Sequence, residues 1–417
     1  MSRQLDATNG SAATLQQRST AASPAASAVP GRSTRLVQMG EAFNGRWRMV
    51  PVLLTLAVIW IFFASQAPTF LSARNLSNLS VQIVVTGILA LGLVLVLLVG
   101  EIDLSVAALG AVTAAVMARL MVQTGTPPLL AIAAGIVTGM VFGAIQGMVV
   151  TKFRAPAFIV TLGSSLILQG VLLQLLPRSG QIPLAGTMVE SVAGTYLVPA
   201  IGYTIGILAS GMVAVLLSQT YRHNQRQHHQ TSLLRRVVLP SAACLVVSLV
   251  VVSVLNAHRG VPVAVLILLA LLGVMAYVST QTGFGTYLYA IGGNAEASRR
   301  AGIPVRRVKV MTFALAGGFA AVAGLVAASR TLGVSSQSGS GTLLLESVAA
   351  AVIGGASLFG GRGSVWAALV GALVIGSISN GLDLLGSDAQ VKLIVQGSIL
   401  ILAVAVDGAL ASGRRTS

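Results

Sequence analysis

Charge is what this sequence has least of. Asp, Glu, Lys and Arg make up 9% of its 417 residues, where a soluble domain carries about 25%. So little polar cover cannot shield a chain that is 55% hydrophobic. The chain needs a solvent other than water, and a lipid bilayer fits. Acids are the scarcer sign, with ten Asp and Glu against 26 Lys and Arg. Ion-coupled transporters and membrane enzymes keep ionisable groups inside their spans. Here Glu101, Asp103, Glu190, Glu296, Asp383 and Asp388 fall at predicted interfaces, and only Glu346 and Asp407 fall inside spans, near their ends. His223, His228 and His229 share one basic loop and His258 stands apart, so the histidines form no cluster. A single cysteine, Cys244, lies in an apolar run and reads as a buried, inert thiol; it leaves no disulfide framework and no Cys-based metal site. The only lysines are Lys152, Lys309 and Lys392, and none follows a Gly-rich phosphate loop. The sequence thus offers no catalytic residues, no metal ligands and no ATP-binding motif of its own. If ATP drives this protein, another subunit binds it.

What is present is glycine, 46 residues of it, together with apolar runs. Small residues let membrane helices approach closely where lipid supplies no hydrophobic drive. From residue 50 onward the runs have the 17–25 residues needed to cross a bilayer. They predict helical spans near 50–66, 82–100, 104–123, 129–150, 157–176 and 197–219, then near 237–256, 261–280, 310–329, 342–360, 364–385 and 390–409. The expected fold is all-α: a polytopic transmembrane helical bundle of about twelve spans. Ten would remain if two short runs are re-entrant or form one broken helix, and the Gly-rich 342–363 region is the place to expect a break. Residues 1–45 are rich in Ala, Ser, Thr and Gln and read as a disordered cytoplasmic tail; 46–417 form the membrane domain.

A net charge of +16 can signal nucleic acid, but here the positive residues sit in short clusters between apolar runs. With the N-terminus inside, twenty Lys and Arg fall on the cytoplasmic side and six (Arg74, Arg119, Arg178, Arg259, Arg330 and Lys392) on the outer side. That asymmetry predicts both termini in the cytoplasm and no nucleic-acid partner.

Four motifs stand out. Gly100-Glu101-Ile102-Asp103-Leu104-Ser105-Val106 places two carboxylates between apolar runs. They either end one helix and cap the next, with Asp103 suited to an N-cap, or shape a break beside a transport path. In the inner loop, Gly292 and Gly293 mark a turn and Asn294 caps a short helix from Ala295 that bears Glu296, Arg299 and Arg300. Gly302 closes that helix and Pro304 stops further helix. A short polar helix with nothing to bury is a docking element or an idle loop. Two small-residue stretches follow, Gly354-Gly355-Ala356-Ser357-Leu358-Phe359-Gly360-Gly361 and Asn380-Gly381-Leu382-Asp383-Leu384-Leu385-Gly386.

In this order and spacing the four motifs resemble the permease family of ATP-driven importers for ribose, xylose, galactose and related monosaccharides. The resemblance runs from about residue 68 to 410 and looks nearest the xylose type. Glu101 stands where many relatives carry Gly, and residues 197–256 supply an extra pair of spans. It departs from the family's pattern at Ala107, often Gly, and at Leu344, the first position of a pair that is often acidic and here keeps only Glu346.

The resemblance implies a permease in the bacterial cytoplasmic (inner) membrane that performs no covalent chemistry. Its partners would be an ABC ATPase subunit carrying ATP and Mg, a substrate-binding protein, a second copy of the permease and membrane lipid. The path would lie at the twofold axis or within each bundle. The loop 286–304, with Gly292, Gly293, Asn294, Glu296, Arg299, Arg300 and Gly302, would couple to the ATPase. Polar residues within spans are the pathway candidates: Gln146, Thr161, Ser164, Gln169, Asn380 and Asp383, with Glu101, Asp103 and Ser105 as the motif beside them. Each of the six also suits an interhelical hydrogen bond. The implied cargo is a small sugar, D-xylose first, with ribose, a nucleoside or a furanosyl signal as siblings. An ion-coupled transporter fits the scarcity of intramembrane acids less well.

Overall fold

Backbone that crosses hydrocarbon must satisfy its own N–H and C=O groups, and a helix does so within one segment. The computed structural model describes residues 50–226 and 232–412, and there the apolar runs are helices. The tail read at 1–45 lies outside these residues, as do part of the basic loop 220–236 and the stretch holding Arg414 and Arg415. In chain order the first helices are α1 (Val50–Gln66), α2 (Ala73–Leu98), α3 (Val106–Thr124), α4 (Pro128–Phe153) and α5 (Ala157–Leu175). After a short strand β1 (Gln181–Pro183) come α6 (Glu190–Gly194), β2 (Tyr196–Leu197), α7 (Pro199–Arg226) and α8 (Leu239–Asn256), which is preceded by a π-helical turn at Leu234–Val238. The chain continues through β3 (Val261–Pro262), α9 (Val263–Gln281), α10 (Gly283–Gly293), α11 (Ala295–Arg300) and α12 (Val305–Arg330). It closes with β4 (Gly333–Ser335), α13 (Gly341–Ile353), α14 (Trp366–Leu384) and α15 (Ala389–Ser412).

Among the described residues nine helices are long and apolar enough to cross a membrane, and the apolar parts of α1, α13 and α15 are shorter. Each helix of these two groups falls where an apolar run was read. The run over 342–360 is not one span, however. α13 has 13 residues and ends at Ile353; at 1.5 Å per residue it is about 20 Å long, against a hydrocarbon core of about 30 Å. The loop that follows carries Gly355, Gly360, Gly361 and Gly363 at positive φ, a backbone no ordinary residue adopts without strain. Nor is the expected coupling loop 286–304 an open loop, because α10 and α11 fill most of it.

α2 is apolar all round from Gly87 to Leu98 and almost wholly buried, packed by α9, α12, α13 and α14. A stretch of helix without a polar face belongs at the centre of a bundle. α12 is the second central helix and packs along α4 by way of glycines. A Cβ at Gly317 would lie 2.1 Å from the Gly139 carbonyl oxygen, and one at Gly143 would lie 2.2 Å from that of Phe313. Only hydrogen fits there, and backbone-to-backbone approach takes the place of side-chain packing. The opposite faces of the outer helices show bare hydrocarbon: Ile159, Leu162, Leu166 and Ile167 on α5, Val246, Val247 and Val250 on α8, and Ile401 and Leu402 on α15. Such a belt suits lipid and would be a liability in water. Cys244, read as buried, is only half-buried on α8, 3.8 Å from the Ser210 hydroxyl of α7.

Two small antiparallel sheets add strand to a fold expected to be all helix. Gln181–Pro183 pairs with Gly333–Ser335, and Tyr196–Leu197 with Val261–Pro262. The Ser329 hydroxyl accepts from the Ala193 N–H at 2.8 Å and donates to the Glu190 carbonyl at 3.2 Å. The segment after α5 is thus fastened over the end of the bundle where α12 stops.

Candidate functional site

Alternating helix direction gives the bundle two ends. One holds the α2–α3 loop with Glu101, the α10–α11 region and the Gly-rich loop after α13. The other holds Arg330 at the end of α12 and Asp383 at the end of α14.

At the Glu101 end the short helix predicted from Ala295 is present as α11. The Asn294 side chain caps it, accepting from the Ala297 N–H at 2.9 Å. Gly302, at φ +83°, closes it, with its N–H on the Arg299 carbonyl and the Ile303 N–H on that of Ser298, both at 3.0 Å. Ser298 is buried; Glu296, Arg299 and Arg300 are exposed, and Glu296 pairs with both arginines of its own helix. Gly292 and Gly293 do not form a turn. They end α10, and Gly292 is pressed against the bundle, where a Cβ would lie 1.9 Å from the Leu98 carbonyl oxygen and 2.3 Å from the Gly361 nitrogen. The Gly361 N–H in turn donates to that Leu98 carbonyl at 3.1 Å. Three motifs distant in sequence therefore meet at one point. Beside them Lys309, in the second turn of α12, forms an ion pair with Glu101, and each side chain is more than four-fifths buried.

The rest of the first motif anchors a polar network. Asp103 is buried and does not cap α3; the N-cap position is Ser105. Asp103 instead accepts from the Ser105 N–H at 2.8 Å and the Ser105 hydroxyl at 2.6 Å, a local turn two residues long. The Gln146 amide of α4 donates to the same hydroxyl at 2.8 Å. Thr161 of α5 accepts from the Leu104 N–H at 3.0 Å. So Gln146, Thr161, Asp103 and Ser105 come together, as bonds between α4, α5 and the α2–α3 loop. Burial pushes the Asp103 carboxyl up from its ordinary range, and the two bonds from Ser105 only partly oppose this. A carboxyl raised in the folded state favours folding below its unfolded pKa of about 3.9, and that contribution is lost as pH rises through the folded value. Asp103→Asn keeps an oxygen for both Ser105 donors. We expect the variant to melt no lower than the parent at pH 7.5 and to lose the parent's fall in stability above the carboxylate range. A variant that melts lower at every pH would show that the charge itself is compensated.

The Arg330 end holds cavities. The outermost, about 410 Å³, is lined by Arg74, Asn78, Tyr196, His258 and Arg259. A second, about 470 Å³, shares Asn78 and Tyr196 with it and adds Glu190, Arg330, Asn380 and Asp383. The innermost, about 220 Å³, shares Gln82 and Arg330 with the second and reaches between α2, α3, α12 and α13. Its polar lining includes Gln82, Thr86, Arg330, Gln337, Ser338 and Glu346, and Ala and Gly of α3 and α12 fill much of the rest. Consecutive cavities share residues, so they form a series running into the bundle.

Two of the six pathway residues read from sequence line this series. Asn380 does so with its amide bonded reciprocally to Asn75, at 2.8 and 3.0 Å. Asp383 does so while paired with Lys392. Gln169 is exposed on the outer face of α5 and among the described residues bonds only to Ser165, at 3.3 Å; Ser164 is half-exposed on the same helix, and neither lines these three cavities. Sequence reasoning missed Gln82, Thr86, Arg330, Gln337 and Ser338. A signal was present for the first two. Asn75, Asn78, Gln82 and Thr86 recur at three- and four-residue steps, one face of a helix. Ala107, where the sequence departs from its family's pattern, lines the inner cavity, as does Glu346, the acid kept of the pair whose first position is Leu344.

Known proteins bear directly on this architecture. Residues 75–404 match the family model described as branched-chain amino acid transport system / permease component. The xylose transport system permease protein XylH of Haemophilus influenzae is 39% identical over 361 residues, 85% of this chain and 95% of that protein. The Escherichia coli K12 protein of the same name is 39% identical over 363 residues, 86% and 91% of the two chains. The ribose import permease protein RbsC of Escherichia coli K12 is 31% identical over 376 residues, 90% and 98% of the two chains. No solved structure matches. With its helices, its motifs and these relatives in agreement, the chain belongs to the branched-chain amino acid transport system / permease component family, among the multi-pass monosaccharide permeases of ABC importers and on the xylose side of them.

Proposed function

We propose that this chain carries D-xylose across the bacterial inner membrane as the permease of an ABC importer. The supporting observation is the opposition of its two ends: polar cavities in series at one, and a capped helix with its charged side chains exposed at the other. A substrate-binding protein delivers the sugar at the Arg330 end, which faces outward in this reading. The ATPase, with its ATP and Mg, docks on α11 at the cytoplasmic end, and two permease copies assemble with two ATPase subunits. Both termini are cytoplasmic.

α11 suits a lever because both its ends are fixed, by Asn294 and by Gly302, while its outer face is free. Its base is tied to the core through Gly292, Leu98 and Gly361, and through Lys309 to Glu101. Docking of ATPase and loaded receptor must favour different states of the bundle, since a ligand shifts an equilibrium only by its differential affinity. The weaker likeness to a ribose permease, 31% against 39%, sets D-xylose ahead of D-ribose as cargo.

Proteoliposomes containing this chain, its ATPase and its binding protein test the reading. ATP-dependent uptake of labelled D-xylose, absent when this chain is left out, is the expected result. Uptake of another sugar with the same ATP requirement would replace the cargo only. Uptake without the ATPase would overturn the importer reading.

A further inference from the structure

The inner cavity contains a carboxylate that is only half used. Glu346 stands on α13, in an otherwise apolar stretch, and both hydrogen bonds to it fall on the same oxygen. Its Oε1 accepts from the Gln396 amide of α15 at 2.7 Å and from the Ser379 hydroxyl of α14 at 3.2 Å. The Gln396 amide also donates to Ser379 at 2.9 Å, so the three side chains lock one another. Oε2 has no hydrogen-bond partner among the described residues, and no cation comes within ion-pair distance of Glu346. Yet Glu346 lines the cavity. An ionisable group kept inside a membrane bundle is costly, and such groups mark substrate paths.

Arg330, at the end of α12, lines the same cavity. It is exposed, and the surface it shows lines both the inner and the middle cavity. It feels the charges of Glu346 and Asp383 but forms an ion pair with neither. The cavity thus presents one fixed acceptor and one planar set of N–H donors, and the amides of Gln82 and Gln337 and the Thr86 hydroxyl line it as well. Neighbouring hydroxyls of a sugar meet that pattern, one donating while the next accepts. At about 220 Å³ the cavity is smaller than the roughly 300–1,000 Å³ of drug-sized sites, which suits a single neutral sugar unit.

We propose that this cavity is the sugar-selecting site of the permease, in which the unbonded oxygen of Glu346 accepts hydroxyl donors of a neutral monosaccharide and Arg330 supplies the opposing donors. The proposal rests on the importer reading and adds a selective step beyond that of the receptor. A carboxylate held in place by two donors is pre-organised, so the sugar does not bear the cost of ordering it.

The test uses the complete importer in proteoliposomes, with D-xylose, D-ribose, D-galactose and the monodeoxy analogues of whichever the parent imports. If the parent imports none with ATP, the importer reading fails before any variant is compared. Otherwise Glu346→Ala is expected to lower uptake of the parent sugar about ten- to a hundredfold, the scale of a lost bond to a charged group. At least one deoxy analogue should lose far less, because it never made that bond. Glu346→Gln preserves shape and the bonds to Ser379 and Gln396, so it is expected to fold and yet to change the ranking of the analogues. Arg330→Gln should change it in a different pattern. A merely structural role would lower the melting temperature and scale all sugars alike. An unchanged ranking in both Glu346→Gln and Arg330→Gln would overturn the proposal.

Discussion

Gly317→Ala should leave little folded protein. A methyl group there would sit 2.1 Å from the Gly139 carbonyl oxygen and 2.8 Å from its carbon, and both belong to backbone that cannot rotate aside. To admit it, α12 and α4 must separate along a line of contact that also includes Gly143 against Phe313 and Gly147 against Val310. Overpacking a tight core commonly costs about 1–3 kcal/mol, and a backbone clash belongs at or above the top of that range. Against a total stability of about 5–15 kcal/mol this is a large share. Gly163 on α5 and Gly273 on α9 provide the contrast, since nothing lies within 4 Å of a Cβ at either. Alanine there should be neutral or slightly stabilising, because it has the better helix propensity. The measurement is thermal unfolding in detergent, paired with the yield of monodisperse protein. A Gly317→Ala variant that melts with the parent would mean that the two helices are not held this close.

The second large effect concerns Glu101 and Lys309. Their ion pair joins the α2–α3 loop to α12 just beyond α11, and the two side chains keep 18% and 16% of their exposure. Removing one partner from a buried pair strands the other, at a cost of 3–5 kcal/mol in fully buried cases; with some water access retained, about 2–4 kcal/mol is expected here. Glu101→Gln and Lys309→Met should each lower stability by that amount. The double variant should recover most of the loss, since it leaves no orphaned charge. Near-additive losses in the double-mutant cycle would show instead that the two residues act independently.

The order and position of the apolar helices were legible because a run of about twenty apolar residues has few other uses. Where the reading fell short, polar residues were the reason. The span read from 82 begins at Ala73, because Arg74, Asn75, Ser77, Asn78 and Ser80 lower the hydropathy of its first turns. Several of these face the cavities or neighbouring helices, so the helix continues through them. In the same way α12 starts at Val305 rather than 310, through Arg306, Arg307 and Lys309. The short helix at 295–300 was readable to the residue, because Asn294 and Gly302 act locally. Pathway residues were less readable. A polar side chain in an apolar helix serves a neighbour or a cavity equally well, and Gln146 and Asn380 look alike in sequence. One joins the Asp103 network, while the other lines a cavity and bonds across to α2. Gln337 and Ser338 lie in a loop, where no periodicity marks them.

The placement of α2 bears on how the molecule is made. Its buried surface is covered by α9, α12, α13 and α14, all of them far later in the chain. During synthesis α2 enters the bilayer with lipid as its only neighbour on those faces, and the uniform apolarity of its Gly87–Leu98 stretch makes that wait harmless there. Its partners then displace lipid from it one at a time, and the helix at the centre is finished among the last. Fragments ending before residue 366 would therefore insert fully yet leave α2 open to lipid, and a cell's quality control would have to recognise incompleteness in a chain whose every segment already sits in the membrane.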